Sequence, residues 1–161
     1  MSSRKKELLA SLHRAVRLFI AGASFMSQRV ADDLRLHPTD MQFVNLLDLL
    51  GPMTPGALAQ CSGLSSGGVT VVLDRLEAAG YVRRAANPND RRSVLVHLEP
   101  KRQQRVDANY RSVQKQFAAV TEEFSEAELE TLLRFFTASG AKRLPATQAH
   151  SASRKRDASA E

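Results

Sequence analysis

Residues 65–98 read SSGGVTVVLDRLEAAGYVRRAANPNDRRSVLVHL, and the hydrophobic period changes within this stretch. Before Gly80, apolar side chains recur every three or four residues from Val69 to Leu76, which indicates a helix with one buried face. After Gly80, two β-like runs flank a cluster of turn formers at Asn87–Arg91, which predicts a hairpin. A helix followed at once by a hairpin is the element order that decides the fold.

A second, shorter helix precedes this pair. Thr54-Pro55 combines a capping residue with a proline at the first helical position, and this combination starts helices. Gly63 suits the end of that helix. Ser65 then caps the next helix, which is predicted to end at Gly80. Two helices joined by a short turn that contains glycine predict a helix-turn-helix, and we interpret the hairpin that follows as its wing.

Long amphipathic helices flank this unit on both sides. Apolar residues at spacings of three and four predict a first helix over roughly 5–36 and a later helix after Glu99-Pro100. Thr39–Gln42 has the form of a capping box, so another helix is predicted to start there and to end at Gly51-Pro52. Ser125–Glu128 is a further capping box. The apolar stripes of the long helices exceed what one small winged domain can cover, which predicts dimerisation.

The predicted fold class is mainly α with a small β-hairpin wing, a winged helix-turn-helix with a helical dimerisation region. An N-terminal dimerisation helix occupies residues 1–36, the winged domain 37–99, and C-terminal dimerisation helices 100–141. From about Pro145 onward the residues are small, polar and charged without periodicity. Residues 142–161 are therefore predicted to form a disordered tail.

The chain is basic, with 23 Lys+Arg against 17 Asp+Glu in 161 residues and a net charge of +6. Residues 81–105 hold seven basic and two acidic side chains, which favours an anionic partner such as nucleic acid. Cys61 is the only cysteine, so a disulfide framework is excluded and a reducing compartment is indicated. Polar residues interrupt the apolar run at the N-terminus, so neither a signal peptide nor a membrane span is predicted, and we expect a cytoplasmic protein.

The second helix of the motif has an exposed face that is small and nearly uncharged. Gly67, Val71 and Asp74 lie opposite the apolar stripe, with Thr70 and Arg75 on the flanks. Such a face can approach a DNA major groove closely, and the free N–H groups of a helix N-terminus suit phosphate. An ordinary amphipathic helix is the alternative. The predicted DNA contacts on this helix are Ser65, Ser66, Gly67, Gly68, Thr70, Val71 and Arg75.

The two adjacent glycines have a cost that calls for an explanation. Inside a helix, glycine is less favourable than alanine by about 0.8–1 kcal/mol. Close approach of the backbone to a partner would offset that cost for Gly67 and Gly68. Fraying of the first turn, in which the glycines cost little, is the alternative.

The segment LAQCSGLSSGGVTVVLDRLEAAGYVRR at 58–84, followed by NPNDRRSVLVHL at 87–98, resembles the MarR family of winged helix-turn-helix regulators. The resemblance covers about residues 5–140 and is carried by Val69-Thr70, Asp74-Arg75-Leu76, Gly80 and Asp90–Ser93. It implies an obligate dimer built from the N- and C-terminal helices. It also implies recognition helices in successive major grooves of a pseudopalindromic operator, and wing tips in the flanking minor grooves. Many members release DNA when a small, often aromatic anion binds.

Within the wing, the resemblance assigns roles to individual residues. Arg92 matches the arginine that enters the minor groove, and Asp90 matches the aspartate that orients it. A narrow minor groove has an enhanced negative potential that attracts arginine. Arg83, Arg84 and Arg91 are predicted to contact the DNA backbone, which positions a protein without specifying sequence. A solvated charged loop is the alternative.

The sequence departs from the family's pattern at two positions. Asn87 stands where the wing often has aspartate, and Val71 stands where many members have arginine, so the sequence preference is expected to differ. The resemblance also implies an effector pocket where the first long helix and the helix at 39–50 meet the DNA-binding region. The predicted lining residues are His13, Arg17, His37 and Phe43.

Other functions find less support in the residues. The four histidines lie far apart without metal-ligand spacing, so no catalytic residue, metal or other cofactor is predicted. A nucleophilic pair of Cys61 with a histidine and a redox role for Cys61 are alternatives, but its place just before Gly63 favours packing in the core. Two further alternatives are an architectural DNA-binding protein without ligand control and a protein-binding module that uses the acidic helices.

Overall fold

The computed structural model describes residues 2–141. The elements are α1 Ser3–Leu34, α2 Pro38–Leu50, α3 Pro55–Ser62, α4 Ser66–Ala78, β1 Val82–Ala86, β2 Val94–Leu98, α5 Pro100–Thr121 and α6 Glu126–Ala141. This order confirms the predicted fold class, mainly α with a hairpin wing. The tail predicted over 142–161 lies outside the described residues.

Two compact units make up the chain, and they divide between Met41 and Gln42. The first unit contains α1 and the start of α2. The second unit contains the rest of α2, the helix-turn-helix, the wing and the two C-terminal helices. Within α1 only Val30, Ala31 and Leu34 are buried, so most apolar side chains of this helix are exposed.

The helix-turn-helix begins at the predicted residues, and α4 ends at Ala78, just before the predicted Gly80. Thr54 Oγ1 accepts a hydrogen bond of 3.2 Å from the Ala57 N–H, and Gly63 ends α3 in the left-handed conformation (φ 71°). The chain bends by 111° between α3 and α4, as is typical of the motif. Gly80 is also left-handed (φ 68°), which lets the chain turn sharply from α4 into the wing.

The buried face of α4 is the one that the sequence predicts. Val69, Val72, Leu73 and Leu76 are all buried. Apolar side chains from the other elements of the same unit are buried as well: Phe43, Val44, Leu47, Met53, Leu58, Tyr81, Val82, Val96 and Val106. Truncating one such leucine to alanine lowers the free energy of unfolding by about 2–5 kcal/mol. This buried face therefore holds α4 firmly in its position in the domain.

The wing is an antiparallel hairpin extended by one residue. β1 and β2 pair along their full length. Met53 adds an isolated bridge to Val96, with hydrogen bonds of 3.2 and 2.8 Å in the two directions. The sequence did not predict this bridge, because Gly51–Thr54 reads locally as a turn. It attaches β2 to the segment just before α3.

One predicted capping box was wrong, and the other forms only the half in which the glutamate side chain bonds back to the serine N–H. α2 begins at Pro38, so Thr39 lies inside its first turn, and His37 Nδ1 accepts a hydrogen bond of 3.2 Å from the Thr39 N–H. Proline at the first helical position decides this, because its fixed φ is preorganised for the helix and its missing N–H is not needed there. At α6, the Glu128 carboxylate accepts hydrogen bonds from the N–H and hydroxyl of Ser125, at 2.9 and 2.6 Å. These bonds lower the pKa of Glu128.

Two side-chain hydrogen bonds join α5 to α2. Asn45 Nδ2 donates to the Tyr110 hydroxyl at 3.0 Å, and Gln103 Nε2 donates to Asp48 Oδ1 at 2.8 Å. Burial raises the pKa of Asp48, the charge of Asp107 raises it further, and the bond from Gln103 opposes both. The N-terminal half of α5 is therefore attached to the winged domain.

Candidate nucleic-acid interface

The N-terminus of α4 is open to solvent. Ser65 Oγ caps it by accepting a hydrogen bond of 3.2 Å from the Gly68 N–H, and Ser66 and Gly67 are exposed. A Cβ atom added at Gly67 would meet nothing within 4 Å, so packing within the chain does not require glycine there. The N–H groups of this first turn, together with the helix dipole, suit an anion such as phosphate.

The outward face of α4 is small and largely apolar. Val71 is 54% exposed, on the side opposite the buried stripe, and Thr70 and Arg75 are exposed on its flanks. Thr70 Oγ1 donates a hydrogen bond of 3.0 Å to the Ser66 carbonyl. Because the hydroxyl proton is used within the helix, Thr70 offers a partner its methyl group and an acceptor lone pair.

The wing tip is a compact turn held by its own side chains. Asn87 Oδ1 accepts from the Asn89 N–H at 3.0 Å, and Asn87 Nδ2 donates to Ser93 Oγ at 2.8 Å. Asp90 Oδ1 accepts from the backbone N–H of Arg92 at 3.0 Å. This bond supports the role predicted for Asp90 in orienting Arg92, which stays a prediction. The amide of Asn87 supplies a donor that an ionised aspartate in its place would lack.

Arg91 and Arg92 lie exposed at this tip. Within the part of the chain that the structure describes, neither forms an ion pair. Adjacent like charges on an exposed turn repel each other and add nothing to a core. Their location therefore favours the predicted contact with an anionic partner outside the chain.

The other two wing arginines are engaged within the chain. Arg83 Nε lies 3.4 Å from Glu99 Oε1, and the Arg83 side chain remains more than half exposed. Arg84 reaches across to α4, where Nη2 lies 2.7 Å from Asp74 Oδ1 and Nη1 contacts the Glu77 carboxylate. Contact of Arg83 and Arg84 with the DNA backbone stays a prediction. An exposed pair such as Arg83–Glu99 is worth little and opens readily, whereas two carboxylates hold Arg84.

A contact that the sequence did not predict lies at the C-terminal end of α4. Arg102, in the first turn of α5, stacks over the Tyr81 ring at 4.9 Å from its centroid. Its Nη2 donates a hydrogen bond of 3.1 Å to the Ala79 carbonyl, one of the groups that a helix end leaves without a partner. In the sequence, Arg102 was visible only as one of the charges in the basic region.

The predicted effector residues occupy different settings. His13 and Arg17 lie one turn apart and line a groove on α1 together with Arg14. His37 is exposed and caps α2. Phe43 is 0% exposed, so its side chain fills the core. Among residues 2–141, only α1 lines this groove, so a pocket that encloses a ligand there needs a second wall.

Cys61 is partly buried, and burial raises the pKa of its thiol. The thiolate is the reactive form of cysteine, so the raised pKa argues against a redox sensor. Among residues 2–141, no group of three His, Cys, Asp or Glu side chains is arranged to hold a metal ion.

By length and composition, α1 is apolar enough to cross a membrane, and its apolar stretch is unburied within the chain. A signal sequence or the core helix of a soluble protein meets the same criterion. α3 and α4 meet it only when they are taken together as one bent segment. The expected absence of a membrane span therefore stays a prediction.

Comparisons of sequence and of structure with known proteins point to one family. The profile described as MarR family matches residues 36–93. The chain is 39% identical over 108 residues to the uncharacterized HTH-type transcriptional regulator YcgE of Bacillus subtilis, across 67% of this chain and 70% of that protein. It is 44% identical over 50 residues to the multiple antibiotic resistance protein MarR of Salmonella typhimurium, across 31% and 35% of the two chains. A MarR family protein from Bacillus stearothermophilus has the same fold, with a TM-score of 0.67 at 22% identity over 88% of this chain and 97% of that one.

Proposed function

The chain belongs to the MarR family of winged helix-turn-helix transcriptional regulators, and on that premise we propose that it is a homodimeric repressor. It binds a pseudopalindromic operator in double-stranded DNA. A small anionic or aromatic ligand releases it from that operator. DNA binding and regulation of transcription come with the family, whereas the dimer, repression and ligand release are the proposal.

The observation that carries the proposal is the wing tip. Arg91 and Arg92 are exposed, adjacent and without an ion pair in the described chain, at the end of a hairpin anchored to the helix-turn-helix by Met53. Arg92 enters the minor groove, where a narrow groove attracts a cation. Arg91 contacts phosphate, which positions the protein without reading sequence.

On α4, the proposal divides the exposed residues by the part of the DNA they meet. The open N-terminus, with Ser65 and Ser66, faces a phosphate. Gly67 and Gly68 allow the backbone to come close. The residues that face base edges in the major groove are Thr70, Val71 and Arg75.

Dimerisation is supported by apolar side chains that the described chain leaves exposed on its terminal helices. They include Leu8, Leu12, Leu18, Phe19, Phe25, Phe117, Val120, Leu133 and Phe136. An exposed apolar face of this kind on a helix marks an interaction site. A lipid bilayer fits this surface less well, because Arg14 and Arg17 interrupt it and an arginine at the centre of a bilayer costs about 2.5–3.5 kcal/mol. The proposal therefore assigns the surface to a second copy and the protein to the cytoplasm.

Release by a ligand is supported by the groove on α1. Its lining combines the cationic Arg14 and Arg17, the imidazole of His13 and the apolar surface of Leu18, a combination that suits a small aromatic anion. In a dimer, the partner supplies the missing wall. Salicylate-like anions are the first ligands to test, by the shift of melting temperature and by the loss of DNA affinity.

Selection of bound sequences from random DNA, followed by footprinting, tests the proposal. A two-fold dimer protects a pseudopalindrome whose half-sites lie about 10 bp apart, one helical turn. Length-dependent coating without a preferred sequence would indicate an architectural protein instead, and no binding would indicate a protein-binding module. Sedimentation at micromolar concentration tests the dimer separately, and a monomer that still binds DNA specifically would contradict it.

A further inference from the structure

We infer that Arg84 positions the recognition helix α4 against the wing and neutralises its carboxylates, and is not itself a DNA contact. This inference rests on the proposed function, because it concerns how the DNA-binding surface is held. By its charge alone, this basic residue of the wing would be assigned to a DNA phosphate. The inference assigns it a role inside the protein instead.

Arg84 lies on the inner side of the hairpin. It is paired across the sheet with Val96, whose side chain is buried, so the Arg84 side chain leaves the sheet on the same face. That face is the one turned toward the domain, and only 27% of the Arg84 side chain is exposed. A side chain directed this way is poorly placed to reach a phosphate beyond the wing.

Arg84 is attached to α4 at three points. Its backbone N–H donates to Glu77 Oε1 at 3.1 Å, and its Nη1 contacts the other oxygen of the same carboxylate. Its Nη2 donates to Asp74 Oδ1 at 2.7 Å. Single exposed ion pairs contribute little, but a charged network with good geometry contributes more, and the guanidinium is rigid and planar. The attachment therefore restrains α4 relative to β1 in angle as well as in distance.

The two carboxylates explain why an arginine is needed here. Asp74 and Glu77 lie one turn apart on the helix that meets DNA, and 60% of the Asp74 side chain is exposed. Uncompensated, these charges would repel the phosphates of the groove that α4 enters. Arg84 offsets one of the two charges and holds both carboxylates against the wing.

Arg91 is the matched control, because it carries the same charge in the same hairpin without an ion pair in the described chain. The test measures the affinity of Arg84→Ala and Arg91→Ala for operator and for unrelated DNA, over a series of salt concentrations. For Arg91→Ala, loss of a phosphate contact should make the slope of log affinity against log salt concentration shallower by about 0.9. It should weaken binding to operator and to unrelated DNA alike. For Arg84→Ala, we expect operator affinity to fall by about fivefold, because two carboxylates of α4 are left uncompensated beside the phosphates. The slope should stay unchanged, because no phosphate contact is lost.

Neutralising the carboxylates provides the second half of the test. In the triple variant Arg84→Ala, Asp74→Asn, Glu77→Gln, the uncompensated charges are gone, and operator affinity should recover most of the loss. A slope that falls as in Arg91→Ala, or no recovery in the triple variant, would overturn the inference. Should Arg84→Ala fail to fold, the triple variant alone decides, because a folded triple variant with lost operator affinity and a shallower slope indicates a phosphate contact.

The attachment can also be tested without DNA. Melting temperatures of Arg84→Ala, Asp74→Asn and their combination form a double-mutant cycle, and a network gives clear non-additivity. Additive shifts would overturn the positioning role. This measurement tests the inference separately from the proposed function. If the protein bound no operator, the proposed function would be wrong, but the double-mutant cycle would still report on the attachment of Arg84.

Discussion

The tip and the base of the wing use the same residue type in opposite ways. At the tip, Arg91 and Arg92 are exposed and unpaired within the described residues, and the turn beneath them is built from hydrogen bonds of Asn87 and Asp90. At the base, two carboxylates of α4 hold Arg84. The difference teaches that a basic residue near a DNA-binding motif counts as a DNA contact only once its intramolecular partners are known.

The recognition helix repeats this division along its own length. Its N-terminal turn is open, with free space around Gly67. Its C-terminal half is attached on two sides, by Arg84 from β1 and by Arg102 from α5, which holds the Ala79 carbonyl and stacks on Tyr81. One half of α4 is thus left available for a partner while the other half is fixed in place.

The largest effect is expected at the tip. Arg92→Ala should weaken operator binding by about 1–3 kcal/mol, because it removes a specifying contact. Asp90→Ala should reproduce part of this loss, because it removes the carboxylate that holds the Arg92 N–H. Binding isotherms on operator DNA measure both.

Pure electrostatics predicts the opposite sign for the aspartate, because Asp90→Ala removes a negative charge near DNA. Tighter binding by the Asp90 variant would therefore refute its orienting role, even if Arg92 behaves as expected. That result would favour the interpretation of the tip as a solvated charged loop. It would weaken the contrast between the tip arginines and Arg84 at the base of the wing.

Local signals in the sequence predicted the fold well, and long-range contacts were missed. Thr54, Ser65 and Gly80 were assigned correctly because caps and left-handed turns depend on a few neighbouring residues. The Met53 bridge and the Arg102 contact join segments far apart in the chain, so no local pattern carries them. His37 was missed as a cap because the Thr39 signal competed with that of Pro38. For the same reason the sequence could identify the wing's arginines but not separate Arg91 from Arg84.

A smaller effect is expected at the open end of α4. Gly67→Ala should stabilise the fold by less than about 1 kcal/mol, since alanine favours the helix and the site has room. The same change should weaken operator binding by about 1 kcal/mol, because the added methyl group meets the DNA at close approach. Thermal unfolding and operator affinity are measured on the same preparations.

Gly56 supplies the matched control. It also lies at the second position of a capped helix, α3, and it is also exposed. Gly56→Ala should give a similar gain in stability with operator affinity retained. Equal affinity in the two variants would mean that the N-terminus of α4 does not approach DNA closely, so that its glycines merely tolerate a frayed turn.

Val71 tests what the exposed face reads. Its side chain is directed away from the buried stripe of α4 and cannot form the bidentate bond to guanine that arginine forms. It can contact a thymine methyl, the one apolar group in the major groove, for a gain of about 0.8 kcal/mol. We expect Val71→Arg to shift the preferred base toward guanine and to steepen the salt dependence.

Replacing thymine with uracil at each half-site position isolates this contact, because it removes only the methyl group. One position should lose affinity in the native protein and lose none in Val71→Ala. Unchanged affinity at every position would show that Val71 faces no base.

The smallest expected effect concerns two carboxylates, Asp48 and Glu128, and the contrast is again between a charge inside the fold and a charge at the surface. Burial and Asp107 raise the pKa of Asp48 in the folded state, so the folded protein binds its proton more readily than the unfolded chain does. The ionised form is therefore a cost at neutral pH, and the free energy of unfolding should gain from Asp48 as pH falls through its raised pKa. Asp48→Asn keeps an oxygen that can accept a hydrogen bond from Gln103 and removes the charge. It should therefore raise the melting temperature slightly at neutral pH and lose that advantage in acid.

Glu128 is the control of opposite sign, because hydrogen bonds from Ser125 lower its pKa. Its contribution to stability is present above the unfolded pKa and is lost as pH falls. Glu128→Gln should therefore lower the melting temperature near neutral pH and not in acid. Melting curves from about pH 7 to about pH 2 cover both groups, because the lowered pKa of Glu128 places its loss in the more acidic part of that range. A lower melting temperature for Asp48→Asn at pH 7 would show that the hydrogen bond from Gln103 outweighs burial.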